Sequence, residues 1–275
     1  MTSTYTLTIP DVAKSVLAAQ LHERQQKDEL CGAFWAAVAV TALSGRTVSQ
    51  DDAAVAAGTL LSAGGGSLDD LPPGAVSRTD YIREIATTAD TRLAGTSPHG
   101  VGRAIAALSE GTLTAVPLRG PWGEKSVEAL ADFVLDGSPA LAILNVATRY
   151  LWHSHLPLLD LTAYLDGGGD NYPGSEWDVG HYVAVVGSLT TDTHGGRRLL
   201  LCGDTYPSLG TEALHPQPAS RLAAGLNRDG AATCGGAIVV VPSERAASVE
   251  SWAAEAGVAV GYWDNGVPDT DGSGF

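Results

Sequence analysis

Residues 31–45, "CGAFWAAVAVTALSG", run without a single charged side chain and close on a glycine, where a helix readily stops. A helix that is apolar all round has to be buried on nearly all sides. The rest of the chain must therefore wrap this one segment. At 275 residues there is enough chain to do so, as one large domain or two small ones.

The flanking segments are amphipathic. Pro10 and Asp11 open a helix whose face carries Val12, Val16, Leu17 and Leu21 and which runs towards Gln25. "SQDDAAVAAGTLLSA" forms another, with Ser49 as its cap, and "SPHGVGRAIAALSEG" a third, leading into a strand "LTAVPL". "SVEALADFVLDGSPALAILNV" predicts a helix, a Gly-Ser-Pro turn and a buried strand. Beyond it, "HYVAVVGSL", "RRLLLCGDT" and "GAIVVVP" are β-branched, apolar runs of strand length, with a helix "PASRLAAGL" between the last two. "SAGGGS" is a flexible loop, with no following Lys-Ser/Thr to make it a phosphate cradle. Helices first and strands later predict an α+β domain over residues 1–263, with a helical lobe at about 10–135, a sheet lobe at about 138–243 and a loose tail at 264–275.

Charge narrows the function. The formal net charge is −15, with only 17% charged residues against 44% apolar ones. That balance disfavours nucleic acid and anionic membranes, both of which ask for a basic face. No apolar run reaches the length of a bilayer span, and the N-terminus has neither the basic nor the apolar part of a secretory signal. Three cysteines at wide spacing, Cys31, Cys202 and Cys234, make a poor disulfide framework, so a reducing cytoplasm is the expected setting.

There a cysteine is either buried packing or chemistry. Cys31 stands at the head of the uncharged helix, where unsatisfied N–H groups and the helix dipole favour a thiolate. The competing reading is a small core residue, the commoner fate of a free cysteine. A reactive thiol needs an imidazole, and His181 follows a glycine and opens an apolar strand, so its ring can stand at the sheet's edge over a cleft. Taken alone, a strand-end histidine is ordinary surface. Asp204 lies 23 residues later, at the end of the following strand. Two neighbouring antiparallel strands could bring its carboxylate to the imidazole's second nitrogen and fix the tautomer. Alone it would be a turn residue ahead of Tyr206-Pro207.

The order of these residues resembles that of papain-like cysteine peptidases. "QQKDELCGAFW", with Gln25 six residues before Cys31 and a glycine and aromatics after it, is similar to their active-site glutamine–cysteine segment. "GHYVAVVG" followed by a strand ending in "GDTYP", with the helix–Gly-x-Pro–strand step ahead of them, resembles the branch of bacteriocin leader peptidases and phytochelatin-synthase-like enzymes. The likeness covers about residues 20–45 and 125–242.

It implies a papain-like fold with Cys31 as nucleophile, His181 as base and then acid, and Asp204 orienting His181. The Gln25 amide and the Cys31 N–H would form the oxyanion hole, with the adjacent Gln26 as rival for Gln25. Gly32, Trp35, Gly180 and Tyr182 become candidates for the substrate cleft, although Trp35 suits packing beneath the site as well. The implied reaction is cleavage of a peptide amide through an acyl-enzyme, without cofactor. Acyl transfer to an amine, or a silent peptide-binding protein, are the alternatives on the same fold.

Two features depart from the family: Leu30 stands where small or polar residues are frequent, and residues 150–180 form an insertion-like stretch, either a lid or an exposed excursion. Metal signals are weak. His153, His155 and Asp160 lack ligand spacing, Cys202 with His181 and Asp204 leaves little room for a tetrahedron, and "DTDGSG" at 269–274 has no acidic ligand after it.

Overall fold

The computed structural model describes residues 3–66, 70–193, 195–228 and 235–270. In chain order these form β1 (Tyr5–Thr8), α1 (Asp11–Glu23), α2 (Cys31–Ser44), α3 (Gln50–Ala57), the short strands β2 (Leu61–Ser62) and β3 (Thr87–Thr88), and α4 (Pro98–Leu108). There follow β4 (Leu113–Arg119), α5 (Glu124–Val134), β5 (Leu141–Ala147), α6 (Leu158–Leu165), β6 (Gly180–Thr191), β7 (Arg198–Gly203) and β8 (Leu214–Gln217). The remainder is α7 (Ala219–Asn227), β9 (Gly236–Pro242), α8 (Ala246–Ala256) and β10 (Ala259–Val260).

Local signals set most of the boundaries. Gly45 ends α2 in the left-handed conformation at φ 73°, which costs a glycine little. The Ser49 hydroxyl accepts the Asp52 N–H to start α3, and Ser97 accepts the Gly100 N–H with Pro98 in the first turn of α4.

The protein is α+β, with a mostly antiparallel sheet. One sheet of eight strands runs β10-β4-β9-β5-β6-β7-β8, and β1 pairs the far end of β6. All its pairings are antiparallel; β2 and β3 form a separate parallel pair. Helices cover both faces. Leu141, Ile143, Tyr182, Ala184, Ile238 and Val240 turn towards α1–α4 in one core. Their alternates Ala142, Leu144, Val183, Val185, Val239 and Val241 turn towards α5, α7 and α8 in a second. A sheet buried on both faces needs apolar side chains at consecutive positions, which is why its strands read as unbroken runs.

The two expected lobes are therefore corrected. β1 precedes both lobes and β4 comes from the stretch assigned to the helical one, yet both join the sheet, where β4 sits between β10 and β9. The helix at α2 is enclosed as its composition demands: Phe34, Trp35, Ala36, Ala37, Val38, Ala39 and Val40 have no exposed surface.

Residues 264–270, expected to hang loose, are tied down. Asn265 donates to the Thr96 carbonyl, Arg103 pairs with Asp269 at 2.9 Å and Thr270 donates to the Gly58 carbonyl. The remainder of that tail lies outside the described residues. Among those described, no helix is long and apolar enough to cross a membrane.

Candidate active site

The loop ahead of Cys31 is built by distant side chains. Arg24 and Glu29 both have positive φ, 68° and 65°, so the chain turns sharply at each end of residues 25–28. Asp28 accepts the Arg78 N–H and the Ser77 hydroxyl. Glu29 accepts the Ser62 N–H and hydroxyl. Lys27 reaches inward to the buried Asp51 at 2.6 Å and to the Asp80 carbonyl. Residues between Gln50 and Ser62 and between Ser77 and Asp80, outside the stretches that resemble papain-like peptidases, hold this loop and so deliver Cys31 to the start of α2.

His181 opens β6 and Asp204 follows β7, the next strand in the sheet. Nε2 of His181 is 3.0 Å from Asp204 Oδ1, and the side chains are 2% exposed each. Asp204 is held by its backbone, through its own N–H to the Ala213 carbonyl and the Gln20 side-chain amide to its carbonyl at 2.6 Å. Its Oδ1 also takes the N–H groups of Thr205 at 2.7 Å and Tyr206 at 3.3 Å. Burial alone would push this carboxyl up, but the charge and hydrogen bond of His181, joined by those of His215, hold it well below the usual carboxylate range.

Burial likewise disfavours the His181 cation. Asp204, by charge and hydrogen bond, and Cys31, by hydrogen bond and charge, outweigh it and raise the imidazole to about 10. Since Nε2 is committed to Asp204, Nδ1 is the ring nitrogen left for the half-buried Cys31. Trp177 lies against the His181 ring at 4.7 Å between centroids, and Tyr206 stacks at 6.0 Å. Both exclude water from the pair.

Cys31, His181 and Gln26 line one cleft of about 290 Å³, together with Gly180, Tyr182 and Trp177. Gln26, not Gln25, lines the cleft with the thiol. Its N–H donates to the Thr205 carbonyl at 3.0 Å, and its Oε1 accepts the Thr205 hydroxyl. That leaves its amide NH2 for the cleft. The Gln25 amide donates instead to the Val76 carbonyl, and Arg78 caps the Gln25 carbonyl. The positive φ at Arg24 turns the loop so that the second glutamine faces inward.

Two cleft candidates are also corrected. Trp35 is fully buried, its indole donating to the Tyr182 carbonyl at 2.9 Å and lying close under Gly203. Gly32 is buried against Thr96 and Tyr182, where a Cβ would come within 2.8 Å of Thr96.

The remaining expected residues lie elsewhere. His155 bonds the Ser208 carbonyl at 2.8 Å and its ring is 6.0 Å from that of His153. Cys202 is buried, and burial pushes its thiol above the usual range. Among the described residues no group of three or more His, Cys, Asp or Glu could hold a metal. Cys234 lies outside the described residues. The stretch 150–180 is neither wholly lid nor excursion: it contains α6, packs Trp152 and Leu165 into a small core, and supplies Trp177 to the cleft.

Residues with no legible signal in the sequence also contribute: Gln20, Thr205, Tyr206, Trp177, and His215 with Gln217. His215 could not be placed beforehand because β8 is short and carries Pro216. Only the β7–β8 register, Cys202 opposite His215, brings it near Asp204.

Residues 10–264 match a family described as "Family of unknown function (DUF6885)". The chain belongs to that family. Every residue named at the cleft, from Gln20 to Gln217, lies inside the DUF6885 match. No curated protein matches this DUF6885 chain.

Proposed function

We propose that this protein is a thiol hydrolase with a papain-like fold, cleaving a peptide amide through an acyl-enzyme on Cys31. The observation that carries the reading is the convergence, in one cleft, of a thiol at a helix N-terminus, a buried His–Asp pair and a glutamine amide. The thiol and the glutamine are near neighbours in sequence, and the histidine that joins them comes from a strand about 150 residues further on.

The chemistry follows from their roles. The Cys31 thiolate attacks the carbonyl carbon, and the oxyanion is received by the Cys31 N–H, which lacks an intrahelical acceptor in the first turn, and by the Gln26 amide. His181, protonated between Asp204 and the thiolate, gives its proton to the leaving nitrogen as the C–N bond breaks. A water then attacks the thioester and passes its proton to His181. The thiolate departs with the C–S electron pair, so the thiolate–imidazolium pair is regenerated. Asp204 stays ionised throughout and keeps the ring oriented.

The test is alkylation of Cys31 by iodoacetamide across pH, read site by site by mass spectrometry, in the parent protein and in His181→Ala. Fast labelling below pH 7 that collapses in the variant is the expected result. Labelling no faster than that of Cys202, and indifferent to the substitution, would remove the proposal.

A further inference from the structure

Asp204 has a second buried partner that the thiol–imidazole chemistry leaves unexplained. His215 Nε2 is 3.1 Å from Asp204 Oδ2, on the side of the carboxylate away from His181. Gln217, two residues on and on the same face of β8, places its Nε2 3.0 Å from His215 Nδ1. The orientation of that amide is dictated by the backbone. The Trp152 N–H donates to Gln217 Oε1 at 2.7 Å, so the NH2 group must lie on the other side, where it donates to the Trp152 carbonyl at 3.2 Å and to His215. A ring nitrogen that accepts from an amide carries no hydrogen. His215 is therefore the Nε2–H tautomer and donates to Asp204. His215 is 3% exposed and Gln217 not at all.

We infer that His215 and Gln217 are positioning residues: they fix the rotation of the Asp204 carboxylate so that Oδ1 faces His181, and they tie that carboxylate to the inserted segment through Trp152. The inference rests on the proposed Cys31–His181–Asp204 chemistry for its purpose, but not for its test. Without the donor on Oδ2, the Thr205 and Tyr206 N–H groups hold the carboxylate through Oδ1 alone, and its alignment on the His181 proton is weakened. The charged and titratable groups around the two imidazoles are Cys31 from α2, Asp204 and Tyr206 after β7, and Cys202 across from His215. Of these, Asp204 and then Cys31 are the groups that favour the His181 cation, and Asp204 is the larger of the two.

Nitrogen-15 NMR of the histidine rings tests this directly. In the parent protein near neutral pH, His215 should show a protonated Nε2 and an unprotonated Nδ1. In His215→Phe, which keeps the ring's bulk, the His181 deprotonation midpoint should fall by about one pH unit or more. His215→Gln, whose amide can still donate to Oδ2, should recover at least half of that fall. A protonated Nδ1 on His215 in the parent protein would overturn the inference without any variant. So would a His181 titration unchanged in folded His215→Phe, or a His215→Gln variant no better than it. Neither measurement needs a reactive thiol, so an inert Cys31 would defeat the proposed function and leave this result standing.

Discussion

Asp204→Asn removes one charge and almost no volume, which makes it the cleanest perturbation of the cleft. The lost charge sits 3.0 Å from His181 Nε2 with both side chains 2% exposed. At an effective dielectric of about 20 that attraction is about 5 kcal/mol. Some of it is lost to relaxation and local polarity, which leaves roughly three pK units. Starting from about 10, the imidazole should then titrate near pH 7. At pH 8 the parent ring is almost wholly protonated, whereas in the variant only about a tenth is.

If the thiolate depends on that proton, alkylation of Cys31 at pH 8 should slow about tenfold. A stability cost accompanies it. The new amide must turn its NH2 either to the Thr205 and Tyr206 N–H groups or to His215 Nε2–H, and each choice sets donor against donor. One unpaired buried group costs about 1–3 kcal/mol. The assay is iodoacetamide labelling with a urea titration alongside to confirm folding. A folded variant whose labelling rate and pH profile match the parent's would refute the reasoning.

Three further outcomes are expected. Gln26→Ala should slow acyl transfer from p-nitrophenyl acetate by about 10²- to 10³-fold, the effect of losing one oxyanion donor. Gln25→Ala, which alters only the loop's anchoring to Val76, should change the rate by no more than a few-fold; equal losses from the two would reverse the assignment. Lys27→Met should cost about 3–5 kcal/mol in urea unfolding, because it strands Asp51, whose side chain has no exposed surface and whose Oδ1 already lacks a partner.

Stability should also depend on pH in a defined direction. His181 is raised from 6.5 to about 10, so its contribution is complete below pH 6.5 and disappears as pH rises through 10. Asp204 is depressed from 3.8, so its contribution is present above that value and fades as pH falls below it. Urea midpoints measured between pH 3 and 10.5 should trace both limbs, and a flat alkaline limb would contradict the His181 reading.

The start of α2 at Cys31, its stop at Gly45 and the strands carrying His181 and Cys202 were all legible because their signals are local. They consist of caps, a glycine in the left-handed conformation and apolar runs of a given length. Local signals cannot say which strand lies beside which. β4, read correctly as a strand, lies beside β9, more than a hundred residues away, and β1 joins a sheet assigned to the other end of the chain. α8 and β8 escaped notice, the first because its apolar face is narrow and the second because Pro216 interrupts it. The choice between Gln25 and Gln26 is of the same kind. It turns on positive φ at Arg24 and on contacts to Thr205, Val76 and Arg78, none of which is encoded within the glutamine pair.

The sequence alone thus determined that an uncharged helix headed by Cys31 must be buried, and that a histidine and an aspartate stand at the ends of consecutive apolar strands. Both follow from periodicity and chain order. Tertiary structure decided which glutamine lines the cleft with the thiol, which residues clamp Asp204, and that Ser62, Ser77, Arg78 and Trp177 brace the cleft. Those outcomes depend on hydrogen bonds between side chains far apart in sequence, whose partners are selected only when the layers pack.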